Sequence, residues 1–183
     1  MTNVKNSKRV FFLFSLLVIP ILFSSSARAE SKSISTDASK GVVVVEASGL
    51  LDPVMVRMME ETLTEVDSEA TVALVFQINI SGSVVENDKI ISLGKSISSS
   101  PTPISFWVGP SGARAKGPIV ELALISGDIG ISPGSKIGKI GQSNFPVNSF
   151  GVDQNFELEE KTLNYEEAVE KGIARSSPVL LEH

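Results

Sequence analysis

The chain has 183 residues, of which 42% are hydrophobic and none is cysteine, and its 16 basic and 21 acidic residues give a net charge of −5. This length and composition are typical of one globular domain, and the lack of cysteine excludes disulfides and thiolate metal sites. The acidic balance argues against nucleic-acid binding, which depends on basic residues that neutralise phosphates.

Residues 1–29 have the organisation of an export signal. Three basic residues lie within the first nine positions, an apolar stretch follows from Val10 to Phe23, and Ala27–Ala29 is a small-x-small cleavage site. We expect cleavage after Ala29 and an exported, extracytoplasmic protein, whose net charge would then be about −9. The alternative is a retained membrane anchor, but about fourteen apolar residues fall short of the roughly twenty that span a bilayer.

The next elements are a tether, a strand and a helix. Residues 30–40 are polar and without periodicity, which predicts a flexible tether before the folded domain. The β-branched run Val42–Val45 predicts a strand buried on both faces, as in parallel sheets covered by helices. Asp52 and Pro53 predict the start of a helix, because both suit positions whose N–H groups lack helical partners. Apolar residues then mark its inward face: Met55, Met58, Met59, Leu63 and Val66.

A second strand and a second helix follow. The strand is predicted at Val72–Ile78 and runs into a polar turn. Ser83 and Glu86 then form a sequence pattern for a capping box, which predicts that the helix begins at Ser83. Its inward face would consist of Ile90, Leu93, Gly94 and Ile97. This alternation of strands and helices predicts parallel strands joined by right-handed crossovers.

The third strand begins at Ile104 and leads into the central stretch of the sequence. It breaks at Gly109–Gly112, and an alanine-containing pattern then predicts a helix that continues to about Leu124. Ligands of α/β proteins bind beyond the carboxyl ends of parallel strands, where helix N-termini offer N–H groups. The remaining predictions are a strand at Ile129–Ser132, a turn at Pro133-Gly134, a loop at 138–155, and a helix Tyr165–Lys171 with Asn164 as its cap and Gly172 at C′.

Five segments together carry a family pattern: Ala47–Pro53, Phe76–Asn79, Trp107–Ala115, Ser132–Gly138 and Glu166–Ile173. They resemble the protease domain of the NfeD family, membrane-associated serine proteases of the ClpP class. The resemblance extends over residues 41–178 and leaves 179–183 as a tail. It implies an α/β fold of the ClpP/crotonase type, a spiral of parallel βαβ units with flanking helices, and it implies oligomerisation.

The sequence departs from this family at the residues that carry the chemistry. The family typically has Ala-Ser-Ala-Gly after the central turn, with serine as the nucleophile. Counted back from the Pro133-Gly134 turn without a gap, Gly117 occupies that position, and glycine cannot form an acyl-enzyme. The oxyanion loop, typically Pro-Gly-Gly, reads Ser81-Gly82-Ser83 and keeps its backbone N–H groups. The general-base lysine has no assigned counterpart among Lys136, Lys139 and Lys161.

These features predict an exported protease homologue that is catalytically degenerate and acts in binding or assembly at the membrane. The expected partners are a peptide or membrane-protein segment, bound as an added strand, and further subunits in a homo-oligomer or mixed oligomer. The candidate oxyanion or peptide-binding residues are Gly82, Ser83, Gly112, Arg114 and Gly117. No cofactor is expected, and no metal site, because the acids are scattered and lack His or Cys companions.

Two alternative functions remain open at this stage. The first is an active Ser-Lys endopeptidase in which Ser111 is a relocated nucleophile and Lys116 its base; otherwise Ser111 caps a helix and Lys116 is solvated. A Ser-His-Asp triad is disfavoured, since the sole histidine is the terminal His183. The second alternative is a structural subunit of a mixed oligomer. Arg114 is expected either to bind a peptide carboxylate or to pair with Glu121 or Asp128.

Overall fold

A computed structural model of the chain describes residues 41–146 and 155–177. The predicted export signal, the tether, the tail and His183 lie outside these residues. The strands are β1 (Gly41–Leu51), β2 (Thr71–Ser83), β3 (Ile104–Val108), β4 (Arg114–Lys116), β5 (Ile129–Ile131), β6 (Lys136–Gly138), β7 (Thr162–Asn164) and β8 (Arg175–Ser176). The helices are α1 (Pro53–Glu65), α2 (Asn87–Ser98), α3 (Pro118–Ser126), α4 (Asn155–Glu160) and α5 (Tyr165–Glu170).

The strands form one branched sheet. β1 follows one edge of β2 along almost its whole length, while β3 and then β4 share the other edge. One arm continues through β5 to β8, and the second continues through β6 to β7. All of these pairs are parallel except β6 with β7. The predicted parallel βαβ arrangement is therefore confirmed, and the antiparallel strand β7 is an addition to it.

The first two helices follow their sequence signals, with one exception. The Asp52 side chain accepts a hydrogen bond of 2.8 Å from the Met55 N–H, and Pro53 is the first residue of α1, as predicted. The predicted inward face of α2 is also confirmed, since Ile90, Leu93, Gly94 and Ile97 are all buried. The capping box predicted between Ser83 and Glu86 is wrong.

The start of α2 differs from the prediction because β2 is longer than expected. β2 extends through Ser83, whose hydroxyl accepts a hydrogen bond of 3.1 Å from the Val85 N–H. The helix begins four residues later, at Asn87, with Glu86 as an N-cap that makes no side-chain hydrogen bond. β2 continues five residues beyond its predicted end at Ile78 because β1 and β4 pair with it there, and a capping pattern in the sequence contains no information about that pairing.

The prediction that β1 is buried on both faces is wrong. β1 has β2 on one side only, and Val42 and Val44 are 56% and 44% exposed. Its other face points toward the helices, where Ala47 is buried. Within the described residues, β1 is therefore an edge strand, and its β-branched residues leave one apolar face exposed to solvent.

The predicted start of the third helix, directly after Gly109–Gly112, is also wrong. Residues 114–116 form β4, with Ala115 buried between two more exposed neighbours, and α3 begins only at Pro118. Gly112 has φ +83, which turns the chain back toward β2 instead of into a helix. The strand forms because Ala115 pairs with Ile80 of β2 and with Ile137 of β6.

The C-terminal part combines a confirmed helix with one that was not predicted. α5 has a complete capping box between Asn164 and Glu167, and Gly172 follows it with φ +68. Residues 147–154 of the predicted loop 138–155 lie outside the described residues. α4 begins at Asn155, the last residue of that loop. Among the described residues, no helix is both long and apolar enough to cross a bilayer.

Candidate functional site

The carboxyl ends of three neighbouring parallel strands meet at one place. Ile80 of β2 is opposite Ala115 of β4, so two residues farther along both strands Gly82 reaches the level of Gly117. β4 is likewise paired with β6, and just beyond this pairing the Gly117 N–H donates a hydrogen bond of 3.1 Å to the Lys139 carbonyl oxygen. The structure thus brings together Gly82, Ser83 and Gly117, three of the five candidate oxyanion or peptide-binding residues, and adds Lys139.

Gly117 combines a helix N-terminus with a backbone conformation that L-residues rarely adopt. It is the N-cap of α3, with φ 78° and ψ −153°, and Pro118 follows it as the first helical residue. A Cβ atom added to Gly117 would have as nearest neighbours the Gly82 Cα at 3.8 Å and the Ser83 N at 3.9 Å. The position therefore has room for a side chain, which would face the backbone at the end of β2.

The three lysines considered as bases have different surroundings. Lys161 forms an ion pair of 3.6 Å with Glu157. Lys136 begins β6, opposite Arg114 in the register. Lys139 is exposed, has the left-handed φ of 53°, and its N–H donates a hydrogen bond of 2.6 Å to the Lys161 carbonyl oxygen. Of the three, Lys139 is the one whose backbone contacts Gly117.

Ser111 has a different environment from Gly117. Its hydroxyl donates a hydrogen bond of 2.6 Å to the Pro133 carbonyl oxygen, and the Ser135 hydroxyl donates one of 3.1 Å to the Pro110 carbonyl oxygen. These two hydrogen bonds join the turn after β3 to the turn after β5. Lys116 lies at the far end of β4, a strand whose three residues span about 10 Å. No hydrogen bond joins Ser111 to Lys116 in the described part of the chain.

Arg114 is positioned through its backbone. Its N–H donates a hydrogen bond of 3.1 Å to the Asn79 Oδ1, and its side chain is exposed. The predicted pairing with Glu121 or Asp128 is wrong, since Asp128 pairs with Arg175 and Glu121 is buried inside the domain. The Arg114 guanidinium takes part in none of the ion pairs found in residues 41–146 and 155–177.

Glu121 is a buried acid whose only predicted role is as a partner for Arg114. It lies one turn into α3, is fully buried, and accepts hydrogen bonds from the Ser143 hydroxyl at 2.5 Å, the Asn144 N–H at 2.8 Å and the Asn144 Nδ2 at 2.7 Å. It thereby fixes residues 143–144, which follow β6, against α3. The signal in the sequence was a single acid in an otherwise apolar helix.

The described residues contain no metal-binding cluster, and two of their ionisable groups have a shifted pKa. They contain no cluster of three or more His, Asp or Glu side chains arranged to hold a metal ion. The hydrogen bond from Lys171 lowers the pKa of Glu157, which in turn raises the pKa of Lys171; the two groups are 2.9 Å apart. This pair links α4 to Lys171, the residue that follows α5.

No protein-family model and no curated protein sequence matches the chain, but several solved structures share its fold. A membrane-bound stomatin-specific protease, solved as a lysine-to-alanine mutant in complex with a substrate peptide, has a TM-score of 0.67 and 19% identity over 79% of this chain and 78% of its own. A membrane protease specific for a stomatin homolog from Pyrococcus horikoshii has a TM-score of 0.61 and 18% identity over 76% and 74%. Methylmalonyl-CoA decarboxylase has a TM-score of 0.61 and 16% identity over 74% and 62%.

These similarities establish the fold of the chain. It has the ClpP/crotonase-like α/β fold predicted from the sequence, and the structures that share it include NfeD-type membrane proteases. A fold of this kind carries more than one chemistry, as the CoA-dependent decarboxylase among its neighbours illustrates. The function therefore has to be argued from the residues of the site.

Proposed function

We propose that this ClpP/crotonase-like chain is a catalytically degenerate protease homologue that binds a peptide or a membrane-protein segment. The observation that carries the proposal is the geometry of Gly117. A serine nucleophile needs a position at a helix N-terminus, close to backbone N–H groups that stabilise the oxyanion. Gly117 is the N-cap of α3, a Cβ atom at this position would lie 3.9 Å from the Ser83 N, and glycine supplies no hydroxyl.

A relocated nucleophile at Ser111 is less favoured than a degenerate site at Gly117. The Ser111 hydroxyl already donates its proton to a carbonyl oxygen, which cannot act as a general base. Lys116 is the last residue of β4, and no hydrogen bond joins it to Ser111 in the described part of the chain. A structural role for Ser111, in joining two turns, accounts for its hydrogen bond without chemistry.

The catalytic part of the proposal is tested with a fluorophosphonate probe, intact mass and peptide mapping. We expect no adduct on the wild-type protein and an adduct at position 117 in Gly117→Ser, since that variant restores a hydroxyl beside the Ser83 N–H. Gly112→Ser is the matched control, because Gly112 also has a positive φ and open space but does not begin a helix. An adduct on wild-type Ser111 that disappears in Ser111→Ala would overturn the proposal and establish a Ser-Lys site.

The result at position 117 also reports on the base. Labelling of Gly117→Ser that is lost in the double variant with Lys139→Met would identify Lys139 as the base that activates the new serine. Circular dichroism must show that both variants fold, since a serine with positive φ costs about 1–3 kcal/mol.

The binding part of the proposal is tested by hydrogen exchange with a ten-residue apolar peptide. A peptide that adds as a strand is held by main-chain hydrogen bonds, so we expect slower exchange near Gly82–Ser83 and Lys139. A control peptide with alternate N-methylated amides should give no protection, because it lacks the N–H donors. Equal protection by both peptides, or none by either, would contradict strand addition and favour a structural subunit of a mixed oligomer.

We also propose that the protein is exported and cleaved after Ala29, which the basic, apolar and small-residue order of residues 1–29 supports. Expression in a bacterial host with an export pathway, followed by mass spectrometry, should give an N-terminus at Glu30. An intact N-terminus at Met1 in the membrane fraction would instead support the retained anchor.

A further inference from the structure

A pocket lies between α2 and α3, outside the candidate site at Gly117. Its volume is about 320 Å³, which is within the range of small-molecule sites. It is lined by Ile91, Gly94, Lys95, Ser98, Ile125, Asn144, Phe145 and Pro146. Ile125 lies eight residues beyond Gly117 on α3, which corresponds to about 12 Å along the helix.

The wall of this pocket depends on Gly94. A Cβ atom at Gly94 would lie 2.5 Å from the Cζ and 2.8 Å from the Cε1 of Phe145, so only glycine lets this ring pack against α2. Glu121 holds the preceding residue, Asn144, through two hydrogen bonds. The shape of the pocket therefore depends on the contact between Gly94 and Phe145 and on the hydrogen bonds from Asn144 to the buried Glu121.

The charged residue in the lining of the pocket is Lys95, which is positive. Lys95 is exposed at the pocket and takes part in none of the ion pairs found in the described residues. No acidic side chain belongs to the lining, although the chain carries a net charge of −5. A lysine that forms no ion pair among the described residues of an acidic protein, next to apolar side chains, is complementary to an anion that has an apolar part.

We propose that this pocket binds a small apolar group that bears a carboxylate. The apolar part would contact Ile91, Ile125 and Phe145, and the carboxylate would pair with the Lys95 ammonium group. Two sources share this chemistry: a medium-chain fatty acid, and the free C-terminus of a peptide that ends in an apolar residue. The inference stands apart from the proposed function, because it uses none of the residues at Gly117.

The test is a calorimetric titration of the purified protein with octanoate and with a pentapeptide that ends in leucine, each compared with its carboxamide. We expect the acid to bind at least tenfold more tightly than the amide, and Lys95→Gln to remove that difference. Ile125→Ala should weaken binding of the acid, since it removes apolar contact. Tighter binding of octanoate supports the lipid source, and tighter binding of the peptide supports the peptide source.

Lys89→Gln is the matched control. Lys89 lies on the same helix and carries the same charge, but it belongs to a different surface depression, together with Pro53 and Glu60. Three results would overturn the proposal: equal affinity for acid and amide, equal weakening by Lys89→Gln and Lys95→Gln, or no binding of any of the four compounds at millimolar concentration. Circular dichroism of each variant excludes unfolding as the cause. A failed labelling experiment at position 117 leaves this result unaffected.

Discussion

Replacement of Glu121 by leucine should destabilise the protein by about 3–5 kcal/mol. Leucine has a similar volume, so a cavity is not the cause; the loss comes from the donors that lose their acceptor. The N–H and Nδ2 of the half-buried Asn144 both lose their acceptors, and each donor left unsatisfied away from water costs about 1–3 kcal/mol. The Ser143 hydroxyl adds less, because the Phe145 carbonyl oxygen, 2.9 Å away, is an alternative acceptor.

Glu121→Gln is the control for this prediction. The glutamine oxygen can still accept from the Asn144 N–H, and a flipped Asn144 side chain would present its Oδ1, which has no partner among the described residues, to the new amide. We therefore expect a cost of about 1 kcal/mol. Urea denaturation followed by circular dichroism measures both values. A loss below about 1 kcal/mol for leucine, or equal losses for leucine and glutamine, would refute the hydrogen-bond account.

Two further predictions concern the C-terminal part of the domain. Gly138→Ala should lower stability in urea by more than about 2 kcal/mol, because Gly138 has φ +131 and an added Cβ would collide with the Lys161 carbonyl oxygen; Gly41→Ala, with open space, should change it by less than about 0.5 kcal/mol. Glu157→Gln should destabilise the protein at pH 7, and the difference from wild type should vanish as the pH falls through the pKa of Glu157, which Lys171 holds below 4.5. At alkaline pH the same difference should persist up to 10.5 and disappear only above it, as Lys171 loses its proton. A difference that is constant with pH would contradict an ion pair as its origin.

Several features of the protein were predictable from the sequence because their causes are local. Asp52 with Pro53, and Asn164 with Gly172, predicted where α1 and α5 begin or end, since a cap is satisfied within three or four residues of the chain. The inward face of α2 followed from helical periodicity in the same way. The alternation of strands and helices was sufficient to predict the parallel arrangement.

The elements that were predicted wrongly are those that depend on what packs beside them in the fold. β4 has only three residues and forms because β2 and β6 supply hydrogen-bonding partners on both sides. β1 was predicted to be buried because its residues are apolar, but the exposure of Val42 and Val44 depends on what packs over that face of the sheet. Neither property is encoded within a short window of sequence.

The residues of the candidate site also differ in whether the sequence or the tertiary structure reveals them. The glycine at position 117 and the backbone N–H groups at Gly82–Ser83 were identified from the sequence through a family resemblance. The contact of Gly117 with Lys139, the hydrogen bond that engages Ser111, and the burial of Glu121 were decided by tertiary structure alone. The physical reason is that a helix cap is formed by residues a few positions apart, whereas a site at the ends of parallel strands joins residues that the chain separates by twenty or more positions.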